Sequence, residues 1–194
     1  MKARFVLPST QLVLPVRRSF LGAGVLSAAA VALLGGRDAL AAKSHGGSGR
    51  MAGDVAILNS ALAAEYQAIA AYQVGAESGL LSSAVKPVAL EFQGHHKAHA
   101  DVLAGTVKKL GGHAVMAKQK YDFPVDKLKT EKDVLQFAAG LEKGAVSAYV
   151  GAVPKFGDRS LSQAAATILG DEAMHWAVLR QVLGEQAVPG AFVG

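Results

Sequence analysis

The chain has 194 residues and no cysteine, which excludes a disulfide scaffold, thiolate catalysis, Cys-held zinc or iron–sulfur clusters and covalent c-type haem. Any metal must therefore be held by His, Asp and Glu. Of its 20 Lys and Arg, five fall in residues 1–41 with one of the 15 acids, leaving 15 bases against 14 acids beyond them. That near balance carries no basic stripe of the kind that would argue for nucleic acid.

The chain opens with a basic leader of Lys2, Arg4, Arg17 and Arg18, followed by an Ala- and Gly-rich apolar run over 21–36 and the small-x-small pattern Ala39-Leu40-Ala41. This is the layout of an export signal removed near Ala41. The run is too short and too rich in alanine for a span of about 20 strongly apolar residues. Arg17-Arg18-Ser19-Phe20-Leu21 resembles a twin-arginine signal, with Val16 where that pattern usually has Ser or Thr. The resemblance implies a periplasmic protein exported already folded. Residues 42–52, rich in Gly and Ser, read as a flexible lead-in.

Four amphipathic segments follow, with little strand-like alternation. The first covers 53–80, with an inward stripe of Leu58, Leu62, Glu65, Ile69 and Tyr72. The second covers 83–110, with Phe92, His96, His99, Leu103 and Leu110 on one face and Gly111-Gly112 ending it. The third covers 131–153, with Thr130 and Asp133 spaced as a capping box and a stripe of Leu135, Ala138, Glu142, Ala145 and Tyr149. The fourth covers 160–183, with Leu161, Ile168, Glu172, His175, Leu179 and Val182 inward. Short connections near 80–83 and 154–159 predict two antiparallel hairpins. The long link over 111–129 predicts a crossover, giving an all-α, antiparallel four-helix bundle over 53–185 and a tail over 186–194.

An internal repeat ties the two hairpins together. Glu65, Ala68, Ala71 and Tyr72 match Glu142, Ala145, Ala148 and Tyr149. Gly94-His95-His96-Lys97-Ala98-His99 likewise matches Gly170-Asp171-Glu172-Ala173-Met174-His175, and both continue to Val-Leu, at Leu103 and Leu179. A duplicated hairpin brings its polar core residues together across a pseudo-twofold axis. An unpaired ionised carboxylate on an apolar stripe is costly, and no Lys or Arg shares the central turns, so a metal ion is the natural partner for Glu65, Glu142 and Glu172. Glu172 and His175, at i and i+3, project side by side, and His96 and His99 repeat that spacing.

A Glu from each of two helices with Glu-x-x-His from the others is the ligand set of ferritin-like di-iron carboxylate proteins. Over roughly 52–185 the chain resembles that superfamily, with rubrerythrin- and bacterioferritin-type domains and exported bacterial ferritin-like proteins among its likenesses. The resemblance implies metal ligands Glu65, His99, Glu142, Glu172 and His175. His96 stands where the superfamily has a bridging Glu, and its imidazole offers one lone pair where a carboxylate offers two oxygens. One scheme puts Glu65, His96 and His99 on one ion, Glu142 and His175 on a second, and Glu172 between them. A single ion on Glu142, Glu172 and His175 is the other, and a polar network without metal a third. Iron is the expected ion, with manganese, zinc or copper as alternatives on so nitrogen-rich a set. His95 lies about 40° around the helix from His99, close enough to substitute as a ligand. Tyr72 and Tyr149, two turns beyond Glu65 and Glu142, are expected as core rings or as supports for the ligands. Glu91 is expected in solvent, Trp176 in packing, and His45 and His113 on loops.

The resemblance implies Fe(II) oxidation by dioxygen or peroxide, with an external reductant because the chain has no Cys-based iron domain of the rubrerythrin kind. The competing expectation is a non-enzymatic envelope or stress scaffold with a structural metal or none. No amphipathic basic helix past residue 41 argues for a membrane surface.

Overall fold

The computed structural model describes residues 47–193. The expected export signal and His45 lie outside them. Among the described residues there are four α-helices: α1 (Gly47–Glu77), α2 (Lys86–Lys109), α3 (Glu131–Ala152) and α4 (Arg159–Val182). Two 3₁₀ turns, Val125–Lys127 and Val153–Lys155, sit in the connections, and no strand is found among the described residues. None of these helices is long and apolar enough to cross a membrane.

The local chemistry sets most of the boundaries. Thr130 caps α3 as its spacing predicts. Its hydroxyl accepts from the Asp133 N–H at 3.2 Å, and the Asp133 carboxylate accepts from the Thr130 N–H at 2.9 Å. Asp158 caps α4 by accepting from the Ser160 N–H at 2.7 Å. Pro87 in the first turn of α2 suits a position whose N–H has no helical partner, so α2 starts at Lys86, three residues later than expected. At the far end Gly111 takes φ 77°, and the Gly112 N–H reaches back to the Val107 carbonyl at 2.9 Å.

α1 departs most from its sequence pattern, starting at Gly47 inside the expected lead-in. Tertiary contact is the cause. The buried Asp54 carboxylate accepts from the backbone N–H groups of Gly157 and Asp158, at 2.7 and 3.2 Å. The Arg50 stem lies against Gly157 so closely that a Cβ there would meet it at 3.2 Å. The turn between α3 and α4 thus holds the first turns of α1 in place. Asn59 clips the crossover in the same way, donating to the His113 carbonyl at 3.0 Å and accepting from the Val115 N–H at 2.9 Å.

α1 packs along α2 and α3 along α4, whereas α1 and α3 touch over a much shorter stretch. Two apolar clusters fill the bundle. One is built on Leu58, Leu62, Leu103, Val107, Leu161 and Ile168, the other on Tyr72, Phe92, Leu135, Ala139 and Leu179. Three stripe positions differ from expectation: Val182 is exposed, and Ala138 and Ala145 are buried less fully than their neighbours Ala139 and Val146. Between the clusters lies a layer of buried polar side chains.

Candidate metal centre

Glu65 of α1, His96 and His99 of α2, Glu142 of α3, and Glu172 and His175 of α4 meet in that layer, each no more than 3% exposed. The pairing across the bundle is reciprocal. Tyr149 donates to Glu65 Oε1 at 2.7 Å, and Tyr72 donates to Glu142 Oε1. Each tyrosine, two turns beyond the glutamate of its own helix, therefore meets the glutamate of the other, which requires α1 and α3 to run antiparallel. α2 and α4 are antiparallel too, since His95 faces His175 while His99 faces Asp171.

Two groups of four buried residues could each hold a cation: Glu65, His96, His99 and Glu172, and His96, Glu142, Glu172 and His175. Donors sharing an ion at about 2.0–2.2 Å stand roughly 3.0–3.4 Å apart. His99 Nδ1 lies 3.1 Å from Glu172 Oε1 and 3.6 Å from Glu65 Oε2, and His175 Nδ1 lies 3.5 Å from Glu172 Oε2 and 3.6 Å from Glu142 Oε1. Three of the four are longer than a hydrogen bond and lie slightly beyond the span of donors sharing one ion. Four buried atoms in the cluster have no hydrogen-bond partner: His99 Nδ1, His175 Nδ1 and both oxygens of Glu172. Buried polar atoms are nearly always satisfied, so four orphans facing one another mark a place for a cation. The donor set fits a divalent metal.

His96 differs from its neighbours. Its Nδ1 lies 2.8 Å from Glu65 Oε2 and its Nε2 lies 3.3 Å from Glu142 Oε1, so the ring spans the two halves where the repeat would otherwise place a carboxylate. Around it, protons do in part what a metal would do. Burial works against charge on the His96, His99 and His175 rings, but the surrounding carboxylates outweigh it and hold them up at about 10, 11 and 9. Burial raises the Glu65 and Glu142 carboxyls, yet hydrogen bonds from those imidazoles bring Glu65 to about 2 and Glu142 well below the usual range. Glu172 goes the other way, pushed up by burial and by the nearby carboxylates. Burial beside these carboxylates also lifts the Tyr72 and Tyr149 hydroxyls well above their ordinary value, so both stay protonated donors.

The sequence reading missed Asp171. Its Oδ2 lies 3.3 Å from the Nε2 atoms of both His99 and His175, the ring atoms opposite the orphaned Nδ1, and so orients both imidazoles. The repeat carried the signal, because Asp171 aligns with His95. His95 falls beside it in the structure, half-exposed, 2.8 Å from His175 Nε2 and 3.2 Å from Asp171. It joins Asp171 and His175 in a third, outer group and is absent from both inner ones. Glu91 is exposed, His113 lies exposed on the crossover, and Trp176 packs against the Tyr72 cluster with Arg180 5.3 Å above its ring.

Comparison with known proteins agrees with the four-helix fold. The family model for the ferritin-like domain matches residues 53–185. A solved structure of a conserved hypothetical protein from Mycobacterium tuberculosis superposes with a TM-score of 0.64 at 23% identity, covering 74% of this chain and 99% of that one. A ferritin-like, diiron-carboxylate protein from Bacillus anthracis superposes at 0.59 and 21% identity, covering 73% and 99%. No curated protein matches the chain.

Proposed function

We infer the function from one premise, that this chain belongs to the ferritin-like domain family: it is an exported iron-binding protein whose buried centre takes Fe(II) as substrate and oxidises it with dioxygen or peroxide. The observation that carries the reading is the set of orphaned atoms, two imidazole Nδ1 and two oxygens of one carboxylate. A cation supplies what those four atoms lack.

Glu65, His96 and His99 would hold one ion with one oxygen of Glu172, and Glu142 and His175 would hold a second with the other. Each bound Fe(II) would give up one electron to the oxidant. The residues around the site serve that end by holding the ligands still. Tyr72 and Tyr149 fix the outer glutamates, and Asp171 and His95 aim the imidazoles. With His96 in place of a carboxylate, three carboxylates face two divalent ions and leave a net charge of one positive, which exogenous hydroxide would neutralise. Reduction back to Fe(II) calls for an external donor, since the chain has no cysteine to hold an electron-transfer centre. The export reading rests on Arg17-Arg18-Ser19-Phe20-Leu21 and the apolar run after it.

A second reading has one observation of its own. Glu65, Glu142 and His96 already satisfy one another and the two tyrosines without any ion. That network would serve a scaffold with a structural metal or none. Anaerobic Fe(II) loading followed by oxygen separates the two. We expect two iron ions per chain and a visible ferric absorption that vanishes in Glu172→Ala. Protein that takes up no iron, and whose melting temperature ignores chelator, supports the scaffold instead.

A further inference from the structure

The short contact between α1 and α3 leaves a cavity of about 620 Å³ open along that face. Its floor is Glu65, His96 and Glu142, all at least 97% buried. Its walls are mostly small side chains, among them Ala64 and Ala68 on α1 and Gly140, Gly144 and Ala148 on α3. The glycines are not there to relieve crowding. A Cβ built at Gly140, Gly144 or Gly151 meets nothing within 4 Å. They keep a way open that a larger side chain would close.

A second observation aims the cavity at a ligand. Glu142 takes both of its hydrogen bonds, from Tyr72 and His96, on Oε1. Its Oε2, on a side chain that lines the cavity, takes none from the described residues. The charged and titratable side chains lining the cavity are Glu65, Glu142 and His96 on its floor, with Lys155. Two carboxylates on the floor offer hard oxygen ligands to a divalent cation that reaches them.

We propose that the α1–α3 cavity is the route by which a divalent metal ion reaches the centre, passing Gly144 and shedding water onto Glu142 Oε2 and Glu65. The proposal rests on the metal-binding reading above and adds a direction to it. The alternative way in, past half-exposed His95 and Asp171 between α2 and α4, presents an imidazole and a carboxylate already bonded to each other.

Stopped-flow uptake of Co(II), followed by its absorption, tests the route on the intact folded chain, with metal content at equilibrium measured beside it. Gly144→Phe places a ring in the passage at a position where a side chain fits and glycine is a poor helix former, so the fold stands. We expect uptake and release both at least about tenfold slower, with stoichiometry and dissociation constant unchanged. Ala64→Phe on the opposite wall should do the same. Ala166→Phe on the outer face of α4 should match the parent chain. Uptake at the parent rate in both cavity variants would overturn the route while leaving the centre intact. A parent chain that takes up no Co(II), Zn(II) or Fe(II) would overturn the centre and the route together.

Discussion

Three imidazoles and three carboxylates share one buried layer with half-buried Asp171 at its edge, and their protonation is set by one another more than by solvent. In the metal-free protein His96, His99 and His175 favour the charged form, and Glu65, Glu142 and Asp171 favour ionisation, while burial and the neighbouring carboxylates favour the neutral form of Glu172. The pH dependence follows in sign. Histidines raised above 6.5 contribute stability that is full below that pH and fades as pH climbs through about 9 to 11. Glu172, raised above 4.5, contributes stability present below that pH and lost as pH climbs through its raised value. Glu65 and Glu142, depressed below 4.5, contribute stability present above it and lost as pH falls towards about 2. Metal-free protein should therefore be most stable between about pH 4.5 and 6.5 and weaken steadily towards pH 10, as urea titrations in chelator would show. With divalent ions replacing the protons, the alkaline decline should shrink. A flat stability profile from pH 6.5 to 10 in chelator would contradict the arrangement.

At the scale of elements, the helices announce themselves by apolar spacing and by caps, and their ends are trimmed by what they touch. Thr130 and Asp133 needed no tertiary information to cap α3, because the two partners lie three residues apart on one chain. The first turns of α1 needed the α3–α4 turn, more than 100 residues away, to receive the Asp54 carboxylate. Gly112 shows the same division. Its place after a helix is legible in the sequence, but its necessity comes from Val55 across the bundle, whose Cγ1 would stand 2.7 Å from an added Cβ. Gly112→Ala should therefore destabilise the protein by about 1–3 kcal/mol, the usual cost of overpacking. Urea unfolding measures it, with Gly105→Ala, where a Cβ meets nothing within 4 Å, as the comparison. Equal stabilities would show that the crossover yields freely.

For the whole molecule, duplication is the organising fact. Two hairpins meet with α1 against α3 and α2 against α4, and the tyrosine–glutamate bonds cross from one half to the other in both directions. The symmetry breaks where His95 and His96 oppose Asp171 and Glu172. There one half brings imidazoles and the other carboxylates. Because the candidate ligands come from all four helices, an ion held by them would stabilise the bundle as a unit. At metal 1,000-fold above its dissociation constant the gain is about 4 kcal/mol, which for a bundle of this size raises the melting temperature by roughly 8–16 °C. Calorimetry with and without chelator should show that shift in the parent chain and its loss in Glu172→Ala.

The sequence by itself determined that there would be four helices in two hairpins, and that Glu65, His96, His99, Glu142, Glu172 and His175 would face inward. Those properties depend on spacing along one chain and on a repeat visible within it. Only the tertiary structure decided which atom faces which. It revealed Asp171 reaching two histidines on different helices, His96 set between two glutamates, tyrosines serving the opposite half, and a passage left open between α1 and α3. Each of these depends on the distance between helices and their rotation about their axes, which residue spacing within a helix does not fix.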